Sequence, residues 1–289
     1  MINQDDRRQP PSSHDHLQSD LERLARLRPI DDDFMRCLFR GQLPLAQEVL
    51  RILTGIDDLI LDCEETQRDL RNLAGARSVC LDVWGRDTQG RIYNLEVQRS
   101  DKGASPRRAR YHSAALDMDE LKTGDSFGSL PETYVIFVTE QDVFAEGAGV
   151  YCFERRERES GRALDDGTHV LFANARYNGS GRLGALMHDF LCADPDDMTT
   201  PALAERVRFL KKDDEGVKDM CKIFDEIREE GVREGLEEGR EEGRAEGRVR
   251  TLFELVGKGL LARDAAAREL SMSPEEFSRQ AAAAGYKLA

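Results

Sequence analysis

Apolar positions recur at helix and strand spacings through the middle of the chain, and they predict an α/β domain. Apolar residues at helical spacing predict an amphipathic helix over 43–53, and Gly55 is expected to end it. Further helices are predicted over 34–39, from Ser105 to about Thr123, over 183–191 and over 201–227. Runs rich in Val, Ile, Leu and aromatic residues predict strands over 59–61, 80–86, 92–98, 133–139, 150–153 and 169–173.

The two central strands are separated by Asp87-Thr88-Gln89-Gly90, which predicts a tight hairpin. A loop of residues 88–90, with Gly90 in the left-handed conformation, would place Asp82 opposite Glu96. Directly opposed residues have Cβ atoms roughly 4.5–5.5 Å apart. Two carboxylates would then lie side by side on strands apolar enough to be buried. A loop of two or four residues would place them on opposite faces.

Side chains alternate along a strand, so Asn94, Glu96 and Gln98 are expected to share one face. Buried like charges are costly unless a proton or a cation joins them. A hard divalent cation held by carboxylates, waters and substrate phosphates would satisfy this face.

Charge is unevenly distributed. The chain has 289 residues, 39% of them hydrophobic and 34% charged, and a formal net charge of −14. This excludes a surface uniformly suited to nucleic acid, so a DNA-facing surface must be a local basic patch. The 6 Cys residues are scattered without a C-x-x-C pair, which fits a reducing compartment and predicts no zinc site. No apolar run is long enough to span a membrane, so we expect a cytoplasmic protein without a membrane partner.

One local basic patch follows the predicted hairpin directly. Residues 99–112 contain one acid, Asp101, against Arg99, Lys102, Arg107, Arg108 and Arg110. The patch is interpreted either as a solvated helix start or as a phosphate-binding surface. His112, His169 and His188 each lie singly in an apolar element, which is typical of structural histidines.

The ends of the chain differ from its middle. Residues 1–27 are polar and predict a disordered tail. Residues 201–250 predict a charged helical linker, in which glycine recurs every four residues at Gly231, Gly235, Gly239, Gly243 and Gly247. The repeat is either a self-association helix that makes a homo-oligomer or a low-complexity spacer. Residues 251–289 predict a small helical module, better suited to packing than to reading DNA sequence because its last helix begins with two Glu residues.

The order of several motifs resembles the PD-(D/E)XK nuclease family transposases, also called recombination-promoting nucleases. These motifs are Asp33-Phe34-Met35-Arg36-Cys37-Leu38-Phe39, Leu81-Asp82-Val83, Asn94-Leu95-Glu96-Val97-Gln98 and Arg108-Ala109-Arg110-Tyr111. The resemblance implies a restriction-endonuclease-like αβββαβ core over 28–200, with a C-terminal helical extension. It also implies Mg²⁺- or Mn²⁺-dependent hydrolysis of DNA phosphodiesters, in a transposase or recombination role.

Roles for individual residues follow from the same resemblance. Asp82 and Glu96 would be metal ligands, with the Val97 carbonyl completing the shell. Gln98 occupies the place of the signature lysine, and Glu48 would be an accessory acid on a helix. Gln98 hydrogen-bonds but supplies no cation, which Arg99 or Arg108 would have to provide.

Two hypotheses follow. The first is a DNA endonuclease in which Asp82, Glu96 and Gln98 form the catalytic site and the basic patch holds the DNA backbone. The second is a catalytically degenerate nuclease fold that serves as a DNA-binding or self-association adaptor.

Overall fold

The computed structural model describes residues 13–70, 79–99 and 104–288. It divides the chain into two compact units, Met1–Phe224 and Asp225–Ala289. Among the described residues, no helix is long and apolar enough to cross a membrane.

The first unit contains one sheet and most of the helices. Its strands are β1 (Leu61–Leu70), β2 (Val79–Asp87), β3 (Ile92–Gln98), β4 (Thr133–Thr139), β5 (Val150–Phe153) and β6 (Thr168–Asn174). Its helices are α1 (Ser13–Arg26), α2 (Asp32–Phe39), α3 (Leu43–Thr54), α4 (Pro106–Glu120), α5 (Gly181–Leu191), α6 (Pro201–Lys212) and the start of α7 (Asp214–Gly257), with a short 3₁₀ helix at Phe127–Ser129. The remainder of α7 belongs to the second unit, together with α8 (Arg263–Glu269) and α9 (Pro274–Ala283).

The sheet has six strands in the order β1-β2-β3-β4-β6-β5. The first three strands pair antiparallel, and β4 pairs parallel to both β3 and β6. Helix α4 connects β3 to β4 and packs its buried residues, among them Ala109 and Leu116, against apolar side chains of the sheet. The succession α3-β1-β2-β3-α4-β4 is an αβββαβ core, which confirms the predicted fold class.

The β2–β3 hairpin has the predicted register. Gly85 pairs with Tyr93 and Val83 with Leu95, and the Asp87 backbone N–H donates to the Arg91 carbonyl at 3.0 Å. Gly90 has φ +82°, the left-handed conformation that closes this loop.

Strand β1 is much longer than predicted. The sequence predicts only 59–61, whereas the strand covers Leu61–Leu70. It lies at the edge of the sheet, and between its two buried ends its residues are only partly buried or exposed. An edge strand of this kind has little apolar periodicity, so its sequence resembles a loop.

The prediction of a disordered tail over 1–27 is wrong for residues 13–26, which form α1. Leu24 of this helix is 2% exposed, and Arg23 stacks 4.7 Å from the centre of the Phe224 ring. Lys211 donates to the carbonyls of Ala25 and Leu27 at the end of the helix. Tertiary contacts therefore stabilise this helix, although its polar composition is typical of a disordered segment. Residues 1–12 lie outside the described residues.

The predicted boundary at residue 200 and the single helix over 201–227 are also wrong. The helix is interrupted at Asp213, so that two helices, α6 and α7, take its place. Gly216 lets the two helices meet, because a Cβ there would lie 2.1 Å from the Phe209 carbonyl oxygen. Helix α6 is part of the first unit: Arg206 donates to the carbonyls of Cys37 and Leu38 in α2.

The second unit has its own core, formed by the end of α7 with α8 and α9. Phe253, Val256, Phe277 and Ala281 are buried in it. Ser273 caps α9 by accepting from the Glu276 N–H at 3.1 Å, as its position before Pro274 predicts. Alanine-sized side chains would meet nothing within 4 Å at the repeated glycines of α7.

Candidate active site between two central strands

Asp82 and Glu96 meet where β2 and β3 stop pairing. The hairpin ladder ends at Val83–Leu95, although β2 begins at Val79 and β3 ends at Gln98. Beyond that point, carboxylates take the place of carbonyls: the Asp82 N–H donates to Glu96 Oε1 at 3.3 Å and the Val97 N–H donates to Asp82 Oδ2 at 3.1 Å. Each acid thus bonds the backbone of the opposite strand.

Burial makes both acids hard to ionise. Glu96 is 0% exposed. Burial, followed by the nearby charge of Asp82, raises the pKa of Glu96 to about 8, against the opposing effect of Arg108. Burial also raises the pKa of Asp82 to about 6, with a further contribution from Asp32 of α2. The cations around the two carboxylates therefore do not offset the cost of burying their charges.

Arg108 of α4 contacts Glu96 of this pair directly, whereas Arg36 of α2 acts on Asp82 through its charge. Its Nη2 lies 3.0 Å from Glu96 Oε2, and its Nη1 donates to Gln98 Oε1 at 3.3 Å. Its Nε donates to His112 Nε2, one helical turn further on, at 3.2 Å. The guanidinium is thereby held at three points beside the carboxylates.

The contacts of His112 determine where its proton lies. Burial, followed by the charge of Arg108, lowers the pKa of His112 to about 4, so its ring is neutral near pH 7. Arginine can only donate, so His112 Nε2 accepts and the ring proton lies on Nδ1. Nδ1 is 3.5 Å from Glu96 Oε1 and 3.1 Å from Asn94 Nδ2.

The Asn94 side chain lies between the ring and the acid. Its Nδ2 is 3.1 Å from His112 Nδ1, and its amide group also hydrogen-bonds Glu96. The Nδ1 side of the His112 ring therefore faces both Asn94 and Glu96. Asn94, Glu96 and Gln98 share one face of β3, as predicted, and α4 covers this face.

The donor set fits a hard divalent cation. Asp82 and Glu96 offer carboxylate oxygens on adjacent strands, and such ions are commonly held by one or two carboxylates together with water and phosphate oxygens. Among the described residues, no group of three or more His, Cys, Asp or Glu side chains is placed to hold a metal ion. Any further ligands would therefore come from the backbone, such as the Val97 carbonyl, or from water and substrate.

The remaining predicted residues lie in different surroundings. Arg99 is exposed, with its Nε 3.5 Å from Asp31 and 3.9 Å from Glu140. Arg107 and Arg110 are exposed on the first turns of α4. Lys102 lies outside the described residues.

Glu48 is carried on α3. Its ion-pair contact in the described part of the chain is Arg182 of α5, at 4.0 Å. The helix acid whose charge acts on Asp82 is Asp32 of α2. The accessory role of Glu48 stays a prediction.

Two residues of the site were not predicted to belong to it. His112 was interpreted as a structural histidine, although its spacing of four residues from Arg108 places both on one helix face. Gln67 of β1 has φ +57°, which is unusual for a non-glycine residue, and its amide lies 3.5 Å from Asp82 Oδ1. Nothing in the local sequence distinguishes Gln67 from an ordinary polar strand residue.

The six-strand mixed sheet with its αβββαβ core is consistent with a PD-(D/E)XK nuclease-like fold. The family model described as PD-(D/E)XK nuclease family transposase matches residues 48–175, which confirms the resemblance over that segment and supports a nuclease or transposase type of function. PD-(D/E)XK nucleases typically use divalent metal ions. Searches of curated proteins and of solved structures find no match.

Proposed function

We propose that this protein is a metal-dependent DNA endonuclease of the transposase or recombination type. The observation that carries the proposal is that Asp82 and Glu96 lie together where β2 and β3 stop pairing. Arg108 lies next to Glu96 there. An ordinary core does not bury two acids together, since each unpaired charge is costly. Active sites are where such perturbed groups cluster.

The reaction would be hydrolysis of a phosphodiester. The water oxygen forms a bond to phosphorus, the bond to the leaving oxygen breaks, and a hydroxyl and a phosphate monoester result. A bound Mg²⁺ or Mn²⁺ would polarise the phosphate and lower the pKa of the attacking water. Asp82, Glu96 and the Val97 carbonyl would hold that ion, and the Gln98 side chain would orient the water.

The basic patch would hold the DNA. Arg107 and Arg110 are exposed at the start of α4, the helix that brings Arg108 to the carboxylates. Contacts of this kind bind the backbone without reading sequence, and their strength falls as salt rises. We propose that Arg99, Lys102, Arg107 and Arg110 act in this way.

The test is plasmid nicking by the full chain with Mg²⁺ or Mn²⁺, for the wild type and for Asp82→Asn and Glu96→Gln. Amide variants are chosen because each keeps an oxygen that accepts the opposite strand's N–H. Glu159→Gln is the matched control, because Glu159 is exposed on the loop after β5. We expect nicking by the wild type and the control, and a loss of at least about 100-fold in the two site variants.

Calorimetric titration with each metal separates this proposal from the adaptor hypothesis. An enzyme binds the ion and loses affinity for it in Glu96→Gln. DNA binding or self-association without any metal affinity and without nicking would refute the enzyme and support the adaptor.

A further inference from the structure

The candidate site has no positive charge at residue 98. Gln98 lies on the Glu96 face of β3, but its side chain is neutral. A positive group near an attacked phosphate stabilises the negative charge that develops there. The two arginines that the sequence analysis names as possible sources of this charge are Arg99 and Arg108, and the structure places them in different surroundings.

Arg99 points to a different set of acids. Its Nε lies 3.5 Å from Asp31 Oδ1 and 3.9 Å from Glu140 Oε2, and its side chain is 65% exposed. Both acids also contact Arg28. Arg99 therefore belongs to a mixed-charge surface cluster next to α2.

Arg108, in contrast, contacts the candidate site itself. Its guanidinium joins Glu96 Oε2 at 3.0 Å to Gln98 Oε1 at 3.3 Å, so the charge lies between the acid and residue 98. The guanidinium carbon also lies 5.8 Å from the centre of the Phe137 ring. A guanidinium is planar and permanently charged, and it can engage two acceptors at once.

On the basis of the proposed function, we propose that Arg108 is the catalytic cation of this site, supplied by α4 in place of a charge at residue 98, and that His112 is the residue that positions it. A charge carried on a helix replaces a charge carried on the strand. Gln98 Oε1 then also accepts from the guanidinium and holds it in place, in addition to the role in orienting the water proposed above.

His112 contacts Arg108 from the buried side of the site. Its Nε2 accepts from Arg108 Nε at 3.2 Å, and its other nitrogen faces Asn94 and Glu96. His112 is 3% exposed, so a substrate would reach Arg108 before it reaches His112. Its effect on the reaction would be exerted through Arg108 rather than by contact with the substrate.

The decisive experiment moves the charge from the helix to the strand. Arg108→Gln is expected to lower kcat for nicking about 100- to 1,000-fold, with a small change in KM for DNA. The double variant Gln98→Lys/Arg108→Gln is expected to recover at least about tenfold of that loss. Arg158→Gln is the matched control, an exposed arginine on the loop after β5 whose loss should leave both kcat and DNA affinity unchanged.

Folding is monitored by circular dichroism and by fluorescence of Trp84, the single Trp of the chain. Arg108→Gln leaves Glu96 without its cation, so Arg108→Lys, which keeps the charge, is measured beside it. Arg108→Lys should retain more activity than Arg108→Gln.

For His112 we compare His112→Phe with His112→Gln, whose amide oxygen can still accept from Arg108. Phe should lower kcat and Gln should restore part of it, whereas a merely structural role would show no rescue by Gln.

The outcomes distinguish this inference from the proposed function. A wild type without metal-dependent nicking overturns both. Three results overturn the role of Arg108 alone: an active wild type with an equally active Arg108→Gln, a folded charge-swap variant that recovers nothing, or an Arg108→Gln defect confined to DNA affinity and its salt dependence.

Discussion

The turn of the β2–β3 hairpin is expected to be among the most sensitive points of the first unit. Asp87 is 2% exposed. Its Oδ1 accepts from the N–H groups of Gln89 and Arg91, each at 2.9 Å. Its Oδ2 accepts from Arg91 Nε at 2.6 Å and from the Tyr93 hydroxyl at 3.0 Å. One carboxylate therefore holds both the loop and the first pair of β3.

Replacing Asp87 with Ala removes all four acceptor contacts and leaves a poorly exposed guanidinium unpaired. Hydrogen bonds to a charged group contribute about 1.5–3 kcal/mol each and do not add fully. Breaking a buried charge pair by removing one partner costs about 3–5 kcal/mol. We expect Asp87→Ala to lower the free energy of unfolding of the first unit by about 3–5 kcal/mol. Tyr93→Phe, which loses one hydrogen bond, should lower it by about 1 kcal/mol.

Urea unfolding followed by Trp84 fluorescence is the appropriate assay, because this single Trp lies in the hairpin itself. Asp87→Asn is the matched variant: its amide oxygen still accepts from the two backbone N–H groups, so its loss should fall between those of the other two variants. The slope of free energy against urea should be the same in all of them. A loss below about 1 kcal/mol for Asp87→Ala would show that the turn is held by the strands rather than by Asp87.

Three further predictions concern pH, the second unit and the glycine repeat. Because burial raises the folded-state pKa of Glu96 to about 8 from an ordinary 4.5, the unfolded chain releases this proton first as pH rises, and folded stability is lost between those values. Without divalent ions, Glu96→Gln should therefore gain stability relative to the wild type from about pH 5 to 8 in urea titrations, and a constant difference would contradict the shift. Phe277→Ala should destabilise the second unit by about 3–5 kcal/mol, seen by circular dichroism, while the Trp84 transition stays in place; a shifted Trp84 transition would show that the units unfold together. Gly239→Ala should stabilise α7 by up to about 1 kcal/mol, because a Cβ there meets nothing within 4 Å, and a lower helix signal on heating would contradict this.

The arrangement of the two acids followed from local rules. A glycine three residues after Asp87 favours one loop length, and that loop length determines which residues face each other. Strand alternation then places Glu96 and Gln98 on one face. Such inferences need only contacts between neighbouring segments, which is why the hairpin was predictable.

The surroundings of the acids depend on contacts between distant segments. The sequence offered both Arg99 and Arg108 as partners for residue 98, and only the packing of α4 on the sheet selects Arg108. His112 looked structural because a lone histidine in an apolar helix does not reveal what it faces. Helix α1 was missed for the same reason, since Lys211 and Phe224 stabilise it from the far end of the first unit.

The hydrogen bonds that Glu96 accepts from the Asp82 N–H and that Asp82 accepts from the Val97 N–H have an evolutionary consequence. Each carboxylate completes the hydrogen bonding of a strand as well as forming part of the candidate site, so a relative without nuclease activity would still be under selection to keep both acids or their amides. Retention of these two residues among relatives is therefore a weak sign of activity. On the role proposed for Arg108, its loss without a new cation at residue 98 would be a better mark of a relative that lacks nuclease activity.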